Sequence, residues 1–269
     1  MLVRSEEYSF ITYVSVDRLS ELQIDKLVEL FTKSWTTSHV LYKTAGVTTE
    51  EFRPYAKEIV RIARINPWTG CVALYDSSKE MDMPIPEREV VGFHFAKDTI
   101  PLPHEVVDKK VTDQLSSNVK MIFQFYDELL EHFWQNPIIQ AFHSGSRQIL
   151  YCLYGGIDPN WGRERHHATM RQGVLMQTST VHREHMKKLG FWGSIATHSH
   201  YITLTARMQM IDTSPNWLLL SRKKISTWEY KDEDGKEKRP FQSVTKLEHV
   251  MLAIETFKSA SEIRALAKL

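Results

Sequence analysis

The sequence predicts a single α/β domain, in which strands and helices alternate along 269 residues. Three observations support this fold class. Segments with the alternating apolar pattern of strands are interleaved with segments that carry a helical apolar stripe. A strand, a turn, a helix and a second strand follow one another at the centre of the chain, from 147 to 197. No repeat, low-complexity linker or shift in composition divides the chain.

The N-terminal third predicts one strand and two capped helices. Residues 8–16 alternate aromatic or β-branched side chains with polar ones, which is typical of a half-buried strand. Ser20 and Thr48 are each followed three residues later by Gln or Glu, the signature of a capping box that starts a helix. The segment between the two helices, 35–47, has no clear period, and we expect a loop that could line a pocket.

A long-looped hairpin and a long helix follow. Apolar runs at 70–75 and 90–95 predict two buried strands joined by a polar, proline-containing connection. His94 lies within the second strand, where a hydrogen-bonded structural role is favoured over a catalytic one. Residues 114–134 carry an apolar stripe at helical spacing, which favours a core-facing helix over an aromatic ligand site.

The central unit contains the most informative turn. An apolar strand at 149–154 breaks at Gly155-Gly156, passes through 157–161 and enters a basic, helix-like segment that begins at Gly162. The unpaired amides at a helix N-terminus and the helix dipole together favour bound anions. A strand at 191–196 completes the unit.

The C-terminal part of the chain shows weaker helix and strand patterns. We expect a short helix within 201–210, strand within 218–230, a turn at 232–235 and a final buried strand at 249–254.

Composition limits the classes of partner. The formal net charge is +1, so no global field draws the chain to nucleic acid or to an anionic membrane. The start of the chain has no apolar leader, and no apolar run is long enough to cross a bilayer. Cys71 and Cys152 lie in predicted buried strands, which argues against a disulfide framework. We expect a soluble cytoplasmic protein, or a peroxisomal one if Ala267-Lys268-Leu269 acts as a targeting tripeptide rather than as a helix end.

The order of elements resembles that of the GNAT N-acetyltransferases. Val90-Val91-Gly92-Phe93 resembles the third strand of that family, and residues 157–161 resemble its lead into the acetyl-CoA loop. The long helix before the central strand is similar to the arylalkylamine, or dopamine-type, branch. The resemblance implies a mixed, mostly antiparallel central sheet flanked by helices. It covers one domain over 1–269, with a core at about 8–255 and a C-terminal tail at 256–269.

The resemblance also implies an acetyl-CoA site. In the family, two central strands splay apart and the pantetheine arm pairs with the exposed strand edge, and Gly155-Gly156 could supply that break or form a bulge without a ligand. His166 stands where the family's loop has its first glycine, and Glu164 adds a negative charge near the expected phosphates. The candidate cofactor-binding residues are Gly156, Ile157, Arg163, Glu164, Arg165, His166, His167, Ala168 and Thr169.

Acetyl transfer requires loss of an amine proton and protonation of the leaving thiolate. The carboxylate that the dopamine-type branch carries near the end of its first helix has no evident counterpart, and Glu50 and Glu51 are more simply helix-capping residues. Tyr201 and Ser199 are the candidate catalytic hydroxyls for the thiolate, although both side-chain types are often structural.

Six histidines fall between 166 and 200, but no His-Glu-x-x-His motif or cysteine pair supports a metal site. The sequence therefore predicts a metal-free N-acetyltransferase that transfers an acetyl group from acetyl-CoA to a small amine. The alternatives are a GNAT-fold binding or regulatory protein without catalysis, and an unrelated α/β interaction domain.

Overall fold

The computed structural model describes residues 1–5, 8–77, 84–99, 103–135, 149–161, 168–198, 208–209, 211–214, 216–232, 234–245 and 247–257. Its helices are α1 (Glu21–Ser38), α2 (Val40–Thr44), α3 (Thr49–Ile65), α4 (Lys109–Asp113), α5 (Ser117–Trp134) and α6 (Ala168–Lys188). Its strands are β1 (Leu2–Arg4), β2 (Ile11–Ser15), β3 (Gly70–Tyr75), β4 (Glu89–Asp98), β5 (Ile149–Ile157), β6 (Gly193–His198), β7 (Trp217–Lys224), β8 (Tyr230–Lys231), β9 (Glu237–Lys238) and β10 (His249–Thr256).

Eight strands form one sheet in the order β1-β2-β3-β4-β5-β6-β10-β7. Six of the seven neighbouring pairs are antiparallel, and only β5 and β6 run parallel. The parallel pair exists because α6 carries the chain from the end of β5 back to the start of β6, as a parallel connection requires. The expected mixed, mostly antiparallel sheet flanked by helices is confirmed.

Capping side chains set the starts of the first two long helices, as predicted. The Ser20 hydroxyl accepts a hydrogen bond from the backbone N–H of Gln23, and the Gln23 side chain accepts one from the N–H of Ser20. The Thr48 hydroxyl and the Glu51 carboxylate make the same reciprocal pair at α3. These contacts satisfy amides that would otherwise lack partners at each helix start.

The loop predicted for 35–47 is wrong. Helix α1 continues to Ser38, and α2 occupies Val40–Thr44. The apolar period was hidden because Trp35 and Tyr42 face other aromatic side chains rather than an aliphatic stripe; each ring lies edge-on to a neighbour. Packing between these rings holds the segment in helices despite its weak period.

Strand β3 shows how the sheet separates two apolar layers. Val72 and Leu74 belong to the main core with helices α1, α2, α3 and α5, whereas Cys71 and Ala73 face a smaller cluster that includes Val174 of α6. This alternation follows from the two-residue period of a strand. Helix α6 therefore covers the opposite face from the other long helices. Both cysteines are buried, as predicted.

The C-terminal strands complete the sheet on the far side of β6. Strand β10 pairs with β6 on one edge and with β7 on the other, so the last predicted strand is central rather than peripheral. The predicted turn after Lys231 joins β8 to β9, with Gly235 at φ 76°. A left-handed φ of this kind is strongly favoured by glycine.

Several predicted features lie outside the described residues. They are most of the short helix proposed at 201–210 and the C-terminal residues 258–269, which include the tripeptide Ala267-Lys268-Leu269. Among the helices that the structure describes, none is long and apolar enough to span a membrane.

Candidate active site

Strands β5 and β6 part halfway along β5. Their parallel pairing joins Ile149–Cys152 to residues 193–196 and goes no further. Beyond that point β5 stays paired with β4 alone, and β6 stays paired with β10. The edge of β5 from Leu153 onward therefore faces an opening between the two strands, with backbone groups available for a ligand.

A β-bulge marks the point of separation. Phe95 and Ala96 are consecutive on β4, yet they pair with Tyr154 and Cys152, so Leu153 is the extra residue on β5. A bulge bends its strand and increases its local twist. The bend turns β5 away from β6 at the residue where their pairing stops.

The expectation that Gly155-Gly156 supplies this break is wrong. Both glycines continue the antiparallel ladder, opposite His94 and Phe93 respectively. The two positions differ in the space that is available for a side chain. A Cβ at Gly156 would lie 2.6 Å from the Phe93 ring, whereas a Cβ at Gly155 would make only ordinary contacts, the nearest at 3.5 Å. Gly155 is exposed and leaves space in the opening.

Two cavities, each of about 420 Å³, meet at the separated strands. We call the one beside α6 the strand cleft and the one beneath α5 the aromatic cavity. The residues that line both are Trp35, Leu153, Tyr154 and Thr197. The strand opening is therefore the point at which molecules in the two cavities could touch.

The strand cleft combines an open strand edge with basic side chains. Residues Leu153–Ile157 form one wall, and Arg171 and Arg183 of α6 reach the lining. Arg183 is 9% exposed and forms a 2.7 Å ion pair with Glu255 of β10. Among the residues that the structure describes, these two arginines are the Arg, Lys, Asp or Glu side chains in the lining of the cleft.

The second cavity is rich in aromatic side chains. Its lining rings are Trp35, Tyr42, Tyr55, Phe95, Phe123, Tyr126, Tyr151 and Tyr154. The Tyr154 hydroxyl donates a hydrogen bond of 3.1 Å to the Tyr55 hydroxyl. Burial raises the pKa of Tyr55 to about 12 and also raises the pKa of Tyr154. Both phenols therefore stay protonated near neutral pH.

Of the residues that the structure describes, three charged side chains line the aromatic cavity: Lys97 of β4, Lys109 of α4 and Asp127 of α5. Lys109 and Asp127 are exposed, whereas Lys97 is half-buried. Burial lowers the pKa of Lys97, and the charge of Asp127 opposes that shift. Sequence reasoning did not identify any of these residues, since their roles depend on which helix covers which strand.

His94 is hydrogen-bonded, as expected for a structural histidine, and it also lines the strand cleft. Its Nδ1 lies 2.7 Å from Nδ1 of His182, and Nε2 of His182 lies 2.6 Å from the carbonyl oxygen of Trp68. Because a carbonyl only accepts, Nε2 of His182 carries the proton and its Nδ1 accepts from His94. Burial lowers the pKa of His182 to about 4, so the ring of His182 is neutral at physiological pH.

Several of the candidate catalytic and cofactor-binding residues lie outside the described residues. These are the candidate catalytic residues Tyr201 and Ser199, and Arg163, Glu164, Arg165, His166 and His167 of the candidate loop. Ala168 and Thr169 begin α6, and Gly156 and Ile157 line the strand cleft. Glu51 is a helix cap as expected, and neither it nor Glu50 lines either cavity. In the described ranges, no group of three or more His, Cys, Asp or Glu side chains is arranged to hold a metal ion.

Comparisons with known proteins identify the fold. No family model and no curated protein matches the chain. The C-terminal condensation domain of Ebony, solved with β-alanyl-dopamine, matches with a TM-score of 0.64 at 16% identity, over 91% of this chain and 98% of that one. Agmatine N-acetyltransferase matches at 0.59 and 14%, and mosquito arylalkylamine N-acetyltransferase-like 5b at 0.54 and 12%; each match covers 92% of this chain and 100% of the other.

These matches show that the chain has the GNAT fold. The neighbours include N-acetyltransferases, among them arylalkylamine enzymes, which agrees with the resemblance seen in the sequence. At identities of this size the likeness establishes architecture, while activity and substrate have to be argued from the site.

Proposed function

We propose that this protein is an acetyl-CoA-dependent N-acyltransferase that transfers an acetyl group directly to a small amine. The observation that carries the proposal is the meeting of two cavities at the parted strands. A thioester in the strand cleft and an amine in the aromatic cavity would come together beside Leu153 and Thr197, which line both. Holding two reactants at one point removes much of the entropic barrier to a bimolecular reaction.

The strand cleft suits the donor. The open edge of β5 can pair with the amide groups of a pantetheine arm as another strand would, and Gly156 and Ile157 belong to that edge. The N-terminal end of α6 favours negative charge, which fits the pyrophosphate. The turn that would hold it comprises Arg163, Glu164, Arg165, His166, His167, Ala168 and Thr169.

The reaction is a single acyl transfer. The amine nitrogen attacks the thioester carbon, a C–N bond forms, and the C–S bond breaks. Backbone N–H groups at the strand opening would polarise the carbonyl oxygen as its negative charge develops. The nitrogen loses a proton and the thiolate gains one, with Tyr201 or Ser199 as the proposed donor. The products are the N-acetyl amine and free CoA.

A GNAT-fold binding protein without catalysis is the second candidate. His166 in the expected glycine position and Glu164 near the expected phosphates favour it. Either change could weaken binding of the pyrophosphate.

Thermal-shift titration with acetyl-CoA tests the donor site. A ligand that binds the folded state stabilises it, so we expect a rise in Tm with acetyl-CoA. At a hundredfold excess of ligand over Kd, the free energy of unfolding should increase by about 2.7 kcal/mol.

Gly155→Phe should abolish the rise in Tm by filling the strand cleft, since position 155 is exposed and a Cβ there makes only ordinary contacts. Thr227→Phe on the exposed turn after β7 is the matched control. No shift of the wild-type protein at millimolar acetyl-CoA would contradict the proposal, and a shift without turnover of any amine would favour the second candidate.

A further inference from the structure

Lys97 is a half-buried cation in a cavity that is rich in aromatic rings. Its Nζ lies 5.8 Å from the centre of the Tyr151 ring. Within the part of the chain that the structure describes, Lys97 makes no hydrogen bond to another side chain and no ion pair within 4.0 Å, not even with Asp127. A charge held in this way is costly unless a partner compensates it.

The position of Lys97 places that charge close to the strand opening. In the β4–β5 ladder Lys97 pairs with Tyr151, and the preceding residue, Ala96, pairs with Cys152. Cys152 is the last β5 residue paired with β6 and directly precedes the bulge at Leu153. The long, flexible side chain of a lysine can span the short distance between adjacent ladder positions. The backbone of Lys97 therefore lies one ladder position from the point at which β5 and β6 part, within reach of the proposed site of transfer.

Among the described side chains, two lysines and one aspartate are the charged ones that line the cavity, and Asp127 is exposed to solvent. A second cationic group on the acceptor would meet a net repulsion, whereas an anionic group would be attracted. The surrounding rings provide a large apolar surface for an aromatic side chain.

We propose that Lys97 selects an acceptor that carries a carboxylate next to its amine, and that the acceptor class is the aromatic α-amino acids. This rests on the proposed function. In an α-amino acid the carboxylate is one carbon from the nitrogen, so Lys97 can bind it while the amine faces the strand opening. The acetyl group passes from sulfur to that nitrogen as the C–S bond breaks, the nitrogen loses a proton and the thiolate takes one up, and the N-acetyl amino acid keeps its carboxylate on Lys97.

Phenylalanine and phenethylamine form a matched pair of probes, since they differ only in the carboxylate. Binding is measured by calorimetry, without and with saturating CoA, so that no turnover is needed. We expect wild-type protein to bind phenylalanine at least ten times more tightly than phenethylamine, because hydrogen bonds to charged groups are among the stronger ones. Lys97→Met should remove this preference. Lys110→Met, on the exposed surface of α4 and outside both cavity linings, should retain it.

Three results would overturn the inference: equal or weaker binding of phenylalanine by the wild type, no binding of either probe with or without CoA, or a preference that survives in Lys97→Met. Two further probes identify the alternatives. Tighter binding of tyramine than of phenylalanine would assign Lys97 to a ring hydroxyl, and tighter binding of putrescine, lost in Asp127→Asn, would assign the cavity to a diamine. A preference for phenylalanine without a thermal shift by acetyl-CoA would uphold the inference about the acceptor and refute acetyl-CoA as the donor. Failure of the inference and failure of the proposed function therefore give different results.

Discussion

At the scale of single residues, the buried histidine pair links the sheet to α6. His182 is fully buried, donates to the Trp68 carbonyl and accepts from His94. This arrangement needs a neutral His182 with its proton on Nε2, because a protonated His182 would present a second proton to the N–H of His94. The sequence suggested a structural role for His94, but its partner lies 88 positions away and could not be inferred from local pattern.

The first prediction at this scale concerns stability at acidic pH. Burial, the largest cause, lowers the folded-state pKa of His182 to about 4 from an ordinary value of 6.5. The unfolded chain therefore binds more protons between these values, and stability is lost as pH falls from about 6.5 toward 4. The expected loss is roughly 3 kcal/mol in the free energy of unfolding. Urea denaturation at several pH values measures it.

His182→Asn should be less stable at pH 7 but show a flatter pH dependence, because Asn can still accept from His94 and does not titrate. His104→Asn is the matched control, since His104 is exposed. The attribution to His182 is refuted if its variant has the same pH dependence as the wild type.

At the scale of elements, α1 is docked on the β4–β5 pair by close contacts at Gly156. Phe93 lies against this glycine, and the Phe93 ring also contacts Phe31 of α1, with ring centres 5.1 Å apart. Ser34 of α1 approaches the same position, 2.9 Å from where a Cβ would stand. The end of α1, which places Trp35 at both cavities, thus depends on glycine at position 156 for its position against β5.

Gly156→Ala should therefore destabilise the protein by about 1–3 kcal/mol, since the added methyl group would lie against a fully buried ring in a closely packed core. Gly155→Ala is the matched control, because a Cβ at 155 makes only ordinary contacts and should change stability by less than about 1 kcal/mol. Chemical denaturation of the two variants compares them. Equal stability of the pair would show that α1 can move away from β5 without cost.

At the scale of the whole molecule, β5 joins two halves of one sheet. It pairs with β4 on the N-terminal side and with β6 on the C-terminal side, and β10 then links β6 to β7. One large apolar cluster contains buried residues of β2, β3, β4, β5, β6 and β10. We propose on this basis that the described chain forms one cooperative domain.

Leu252 offers a test of that cooperativity, because it is fully buried in β10 and belongs to the main cluster. Leu252→Ala should lower the free energy of unfolding by about 2–5 kcal/mol, as expected when a buried leucine leaves a cavity. Tryptophan fluorescence and far-UV circular dichroism should give coincident transitions that shift together. Leu22→Ala, at a position 69% exposed, should change stability by less than about 0.5 kcal/mol. Separate transitions for the two probes would contradict a single domain.

The sequence by itself determined the fold class, most helices and strands, both capping boxes and the place of the central unit. Those features depend on local periodicity and on neighbours three or four residues apart. Only the tertiary structure decided that the strands part at Leu153 rather than at the glycines, that 35–38 and 40–44 are helical, and that Lys97 lines the aromatic cavity. The physical reason is that the register between β4 and β5, and the packing of α1 and α5 over the sheet, arise from contacts between residues far apart in the chain.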